Sequence, residues 1–344
     1  MRSLTLVAIF IGMAINVFAA SGPFHWGING HPVSQEAYWD VPLSVQLDLV
    51  SELHVGWYRI DIGSKAFVAN TLRCDEFVSG AEERKLRILP VLLSSPGPWS
   101  ATATPEEIRK SATAFAQSIV SRYKGRITHW ELSNELDAFA MVRKGETTRS
   151  GTLWKWDGAP DGSNPDDYDE ARYQKAKAEI QGLYEGIKAV DPSAVTIVDT
   201  AGWLHYGFIE RLVNEDHVPF DILAWHWYSE MGDMTNVQGK LDLVALLKRF
   251  GKPIWITEIN RRDGSKGGKD NEQAVFISQA AAQLRTHPDI SAFFIYELLD
   301  EPYFGANGES HYGLVEVAKD QHGKWQISRR KPAFDLFKAA CLAK

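Results

Sequence analysis

Cysteine is almost missing from this chain of 344 residues, which holds only Cys74 and Cys341. Two thiols cannot make a disulfide framework, whatever the compartment. A single bridge stays open to them, but both are expected on helices that do not adjoin, as free buried thiols. Positive charge is also short: 37 Lys and Arg against 44 Asp and Glu leave a net charge of -7. A phosphate backbone calls for a basic face, so no nucleic-acid partner is expected. Metal motifs are absent too: His-Glu-x-x-His does not occur and the ten His show no ligand spacing. Gly27-Ile28-Asn29-Gly30 follows the first β-rich run without the third glycine of a dinucleotide site, and no phosphate-binding loop occurs elsewhere. Without Gly-x-Ser-x-Gly there is no serine nucleophile elbow. No metal, nucleotide or other cofactor is implied.

What is present begins with Arg2 and an apolar stretch from Leu4 to Phe18, followed by Ala19-Ala20-Ser21. A positive start, an apolar middle and small residues at the end describe a secretory signal over residues 1–20, cut after Ala19 or Ala20. A membrane anchor would need about 20 apolar residues, more than this stretch offers. No later segment is long and apolar enough to span. Residues 21–344 are therefore expected as one exported domain, secreted or periplasmic, and monomeric. Cys341 stands four from the end, but the final Lys344 is the wrong residue for prenylation.

Short apolar runs alternate with longer stretches of helical period. The runs are Phe24–Asn29, Gly56–Ile62, Leu86–Leu93, Ile127–Ser133, Val195–Thr200, Asp221–Tyr228, Pro253–Ile259 and Ser291–Leu298. Continuous apolar runs bounded by Gly, Pro or polar residues suit strands buried on both faces. Helices are expected over Pro105–Tyr123, Asp169–Ala189, Val237–Phe250 and Glu272–Thr286; Thr104-Pro105-Glu106-Glu107 carries the cap signals of the first. Eight such β/α units without a break predict a (β/α)8 TIM barrel in a single domain. An open doubly wound sheet would use fewer strands and a glycine-rich first turn. The runs start 26 to 41 residues apart except for an interval of 68 after the fourth, so Leu136–Tyr168 is a long loop after strand four. Its Asp157, Asp161, Asp166 and Asp167, with Asp169 directly after it, lack the spacing of a calcium loop, and capping or solvation is expected of them.

A barrel of this kind carries its chemistry at the carboxyl ends of its strands. Strand four ends Trp130-Glu131-Leu132-Ser133-Asn134-Glu135 and strand seven ends Trp255-Ile256-Thr257-Glu258-Ile259-Asn260. Glu135 and Glu258 would then face each other across the mouth, and paired carboxylates are what glycoside hydrolysis requires. Arg59 lies on strand two in Trp57-Tyr58-Arg59-Ile60-Asp61, and His226-Trp227-Tyr228 ends strand six. This set, in this order, resembles the clan A retaining glycoside hydrolases over nearly the whole chain after the signal. Tyr296-Glu297-Leu298-Leu299-Asp300, Tyr312-Gly313-Leu314-Val315 and Lys331-Pro332-Ala333-Phe334 look most like family thirty-nine and related endoglycosidase-like branches.

The resemblance implies a retaining β-glycosidase acting on β-linked poly- or oligosaccharide by double displacement. Glu258 would be the nucleophile, kept ionised by Arg59 and Tyr228. Glu135 would be the acid/base, Asn134 would bind the sugar 2-hydroxyl, and His226 would orient Glu135 or bridge the site. Plainer readings exist: Arg59 as ion-pair partner of Asp61, His226 as a satisfied core histidine. Glu131 is read as structural, paired with a base such as Arg87; Glu297 and Asp300 stay outside the catalytic set. Among twelve Trp, Trp99 and Trp203 lie beyond strand ends and suit sugar-stacking platforms, with Trp154 and Trp156 as cleft walls. His31, His205 and Tyr296 are candidate hydroxyl ligands. The rivals are an exo-acting enzyme on short β-glycosides and a non-catalytic carbohydrate-binding barrel; the second would not need both carboxylates.

Overall fold

The computed structural model describes residues 24–306 and 308–343, so the expected signal segment lies outside the described residues. Eight parallel strands close into a barrel in chain order, and β1 pairs with both β2 and β8. They are β1 (His25–Gly30), β2 (Trp57–Gly63), β3 (Arg87–Leu93), β4 (His129–Leu132), β5 (Val195–Val198), β6 (Ile222–Tyr228), β7 (Ile254–Asn260) and β8 (Ile290–Ile295). Every expected run forms a strand, with ends displaced by a few residues. Parallel neighbours need a crossover between them, and helices supply it. The (β/α)8 barrel follows.

Local signals set the crossovers. Thr104 caps the helix Pro105–Tyr123 through a capping box: its Oγ1 accepts from Glu107 N–H, and the Glu107 carboxylate accepts from Thr104 N–H at 2.8 Å. Asp169 caps Glu170–Val190, accepting from Arg172 N–H. The expected helix Val237–Phe250 is a correction. Val237 bridges to Leu241, and Gln238 and Gly239 take positive φ, which no helix continues. Helical structure resumes at Leu243–Leu247 behind its own cap, Asp242. The long loop is partly ordered by the helix Leu136–Ala140 and by a Met141–Tyr168 bridge. Its acids cap and solvate: Asp161 accepts from Ser163 N–H, Asp167 from Asn164 N–H, and Asp157 pairs with Lys144.

Two apolar bodies hold the molecule. The larger fills the space between the outward strand faces and the helices. The smaller, Trp57, Leu89, Ile197, Ile222, Ala224, Trp255, Ala292 and Phe294, plugs the barrel interior toward the amino ends of the strands. Gly27 makes room for it, since a Cβ there would lie 2.2 Å from the Phe294 ring. Beyond the barrel, β9 (Val315–Lys319) and β10 (Trp325–Arg330) form an antiparallel pair with no sequence-level expectation behind it. The helix Pro332–Leu342 follows. A buried Lys331–Asp300 pair at 2.6 Å ties this tail to the segment after β8 and gives Asp300 a structural task. Cys74 and Cys341 are both free. No helix among the described residues is long and apolar enough to cross a membrane.

Candidate active site

The carboxyl ends of the strands surround a cavity of about 1200 Å³. Arg59, projecting inward from β2, organises its floor. Its Nε donates to Glu131 at 2.6 Å, its Nη1 to Asn29 at 2.8 Å and Glu258 at 2.6 Å, and its Nη2 to Asn134 at 2.8 Å and Asp199 at 3.2 Å. The guanidinium is buried, and such a fork directs several carboxylates at once where an ammonium could not. One expected pairing, Glu131 with Arg87, is thereby corrected, and the plainer reading of Arg59 as partner of Asp61 falls. Glu131 lies level with Val91 on β3, beside Arg59, whereas Arg87 is exposed at the other end of that strand and covers the Trp57 ring. Asp61 reaches up to His31 instead of back to Arg59.

Glu258 owes its aim to a bulge. Trp255 points into the barrel, so simple alternation would turn Thr257 inward next. The β6–β7 ladder instead pairs Trp225 with Ile256 and then His226 with Glu258, leaving Thr257 as an extra residue. One Glu258 oxygen accepts from Arg59 and the other from Tyr228 Oη at 2.8 Å. Burial alone would raise this carboxyl, but the charges of His226 and Arg59 and the bonds from Tyr228 and Arg59 outweigh it and hold it below its ordinary value. Tyr228 itself is pushed well above the usual phenol range by burial and by the Glu258 and Glu135 charges, so it stays a donor.

Glu135 is presented differently. Ser133 and Glu135 both take left-handed backbone, φ 73° and 49°, which turns the chain sharply after β4. Non-glycine residues held there cost on the order of 1–3 kcal/mol and persist only when their surroundings fix them. Asp199, just past β5, does so by accepting from Glu135 N–H at 2.8 Å. Burial and the Glu131 charge raise the Asp199 carboxyl well above its ordinary value. The Glu135 side chain is about one-third exposed (34%) and meets His226 Nδ1 at 2.7 Å. His226 is wholly buried, and also lies 3.6 Å from Glu258 and 3.7 Å from Asp199. Burial disfavours its charge, yet Glu258 and Glu135 raise its pKa. A carboxylate oxygen of Glu135 and one of Glu258 thus stand within 4.8 Å of each other, with a His226 nitrogen equally near.

The remaining candidates divide between two cavities. His31, Arg59, Asn134, Trp203, His205, Tyr228 and Tyr296 line the main one. Asn134 Oδ1 is taken by Arg59, which leaves its amide N–H groups for a ligand. Trp203 is 44% exposed on the rim. His205 is clasped by Asp137 at 2.5 Å. Trp99 belongs elsewhere: its ring packs tilted against Phe139, centroids 5.2 Å apart, beside an adjoining cavity of about 420 Å³ that also reaches Asn134 and Glu135. The long loop contributes Ala138, Met141, Ala159, Pro160 and Asp161 to the main wall, not Trp154 or Trp156. Trp154 donates to Gly158 O, and Trp156 is 72% exposed. Sequence reasoning missed Asn29, Asp199, Glu309 and Tyr312. Asn29 and Asp199 each had a signal, a polar residue at the end of an expected strand, and Tyr312 opened a motif carried by the resemblance.

Residues 159–311 match a family model described as glycosyl hydrolase catalytic core. The match contains His226, Tyr228 and Glu258, while Arg59 and Glu135 precede it. No curated protein matches the sequence. Among solved structures, the chain is similar to a family 39 glycoside hydrolase from the gut symbiont Bacteroides cellulosilyticus WH2, with TM-score 0.64 and 18% identity. That alignment covers 93% of this chain and 63% of the other, so the chain spans less than two thirds of that protein. It is also similar to a β-glucosidase from Thermotoga maritima in complex with azafagomine, with TM-score 0.66, 11% identity and coverage of 93% and 98%. A third likeness is to the virulence factor SghA from Agrobacterium tumefaciens, with TM-score 0.63, 12% identity and coverage of 93% and 96%. At these identities the structural likeness speaks to fold. The family model bears out a glycosyl hydrolase catalytic core over residues 159–311, and the structural likeness bears out the barrel.

Proposed function

We propose that this chain, a glycoside hydrolase built on a (β/α)8 barrel, cleaves β-linked poly- or oligosaccharides with retention of anomeric configuration. The observation that carries the reading is the approach of Glu135 and Glu258 to within 4.8 Å in unlike surroundings. Retaining sites hold their carboxyls about 5–5.5 Å apart, whereas inverting sites need about 6.5–9.5 Å to admit a water. The unlike surroundings divide the labour. Glu258, ionised and clasped by Arg59 and Tyr228, attacks the anomeric carbon. The bond to the leaving oxygen breaks as Glu135 donates its proton, and a glycosyl ester on Glu258 results. Water then attacks the same carbon, Glu135 takes its proton, and the ester bond breaks to free Glu258. His226 Nδ1 holds the Glu135 carboxyl in place through both steps.

Two cavities meeting at Glu135 support a substrate with sugar on both sides of the bond, bound partly over Trp99 and Phe139. The test is a panel of β-glucan, mannan and xylan, with products sized by mass and their first-formed anomer read by NMR. β-Anomeric oligosaccharides from one polymer are expected. First-formed α-anomer would refute retention, and monosaccharide alone would favour exo action. The N-terminal segment is read as an export signal, so the mature protein recovered outside the cytoplasm should begin at Ala20 or Ser21 by N-terminal sequencing.

A further inference from the structure

A second group of metal-ligating side chains lies against the cavity wall, apart from the Glu135–Glu258 pair. His31 follows β1, while Glu297 and Glu301 follow β8, and one ligand atom from each lies within 4.8 Å of the others. Glu297 and Glu301 are almost wholly buried, at 0% and 1% exposure. Among the described residues neither is ion-paired with a lysine or arginine, and Glu297 Oε1 has no hydrogen-bond partner at all. Burial opposes charge on His31, yet Asp61, Glu301 and Glu258 raise it to about 9, so it is the one cationic side chain beside the two carboxyls among the described residues, and burial pushes both carboxyls above their ordinary values.

From this arrangement we infer that His31, Glu297 and Glu301 form a binding site for a divalent transition-metal cation, with Zn²⁺ the best match. His31 Nδ1 is held by Asp61, which turns Nε2 toward the carboxylates, the orientation that metal-binding histidines take. Each carboxylate has an anchor of its own: Tyr38 Oη donates to Glu297 at 2.7 Å and Tyr303 Oη to Glu301 at 2.7 Å. The separation of 3.4 Å between His31 Nε2 and Glu297 Oε2 matches a tetrahedral edge. Ligands about 2.0–2.2 Å from Zn²⁺ stand about 3.3–3.6 Å apart. One nitrogen with two carboxylates favours Zn²⁺ or Mn²⁺ over Ca²⁺, which prefers six or more oxygens. His31 also lines the main cavity, so an ion can reach the site from solvent. The spacing of histidines in the chain holds no trace of this, because the ligands lie 266 and 270 residues apart.

Equilibrium dialysis of chelator-treated full-length protein against Zn²⁺, followed by metal analysis and thermal melting, tests the site. One equivalent of Zn²⁺ and a raised melting temperature are expected. Glu297→Gln should weaken binding at least tenfold and abolish the thermal shift. Glu258→Gln and Asp199→Asn control for the two other clusters of ligand atoms among the described residues, Glu135–His226–Glu258 and Glu131–Asp199–His226, and each should still bind one ion. If Glu297→Gln folds poorly, His31→Gln read by the same dialysis takes its place. Failure of the wild type to saturate overturns the inference, as does undiminished binding in Glu297→Gln and His31→Gln. Loss of the ion in Glu258→Gln or Asp199→Asn alone would do the same, by assigning it to one of those clusters.

Discussion

The two ends of the barrel interior are built from the same strands and obey opposite rules. On β2, Trp57 enters the lower plug and Arg59, two residues on, the charged floor; on β7, Trp255 and Glu258 divide in the same way. The lower end is aromatic, with His129 stacked on Trp255 at 5.7 Å and Trp57 edge-on to it at 5.4 Å. Each large side chain buried there stabilises the fold by about 1.5–3 kcal/mol through apolar area alone. The upper end buries Arg59, Glu131, Asp199, His226 and Glu258, whose desolvation works against folding. It is tolerated because one guanidinium meets three of the four others, Glu131, Asp199 and Glu258, as ion pairs. Stability is concentrated below and reactivity above, a few ångströms apart on each strand.

That division is broken most directly at Glu258. Glu258→Gln keeps the shape and removes the charge proposed to attack, so kcat on the responsive polysaccharide should fall on the order of 10⁴-fold or more, with the folded circular-dichroism spectrum intact. Equal sugar release by wild type and variant would leave the upper end without its role. The converse substitution is Trp255→Ala. Emptying the plug should cost about 3–5 kcal/mol in urea unfolding, while the fraction still folded keeps its kcat. Arg59→Lys sharpens the contrast, since it preserves charge but loses the fork. Activity is expected to drop about 100-fold through misplaced carboxylates, with a smaller stability loss than Trp255→Ala. A loss of folding larger than that of Trp255→Ala would show that the upper end is itself structural.

Much of the upper end was legible in the sequence because strand ends announce themselves. Glu135 and Glu258 each close an apolar run, and the alternation of β/α units placed them on one rim. The partners of Arg59 were not legible. Asp199, which fixes the Glu135 backbone, is 140 residues from Arg59, and only barrel closure brings them together. The bulge at Thr257 was equally hidden, since it arises from register between β6 and β7 and not from any residue type. Trp154 and Trp156 misled for the reverse reason. Aromatic character suggested a cleft wall, but the loop folds back on itself and offers Ala159–Asp161 instead.

Two histidines carry the comparison into pH. His129, at the lower end, is lowered from 6.5 to about 4 by burial and then by the Arg87 and His25 charges. The folded state resists its protonation, so this contribution is favourable above the ordinary value and turns against folding as pH falls from 6.5 toward 4. His226, at the upper end, is raised above 6.5, because Glu258 and Glu135 overcome its burial. Its contribution is full below 6.5 and is lost as pH rises through the raised value. Each slope is at most about 1.4 kcal/mol per pH unit. Urea midpoints measured from pH 4 to 9 should therefore lose their acid-side decline in His129→Gln and their alkaline-side decline in His226→Gln. If the two effects exchanged sides, the charges would be distributed opposite to the division drawn between the barrel's two ends.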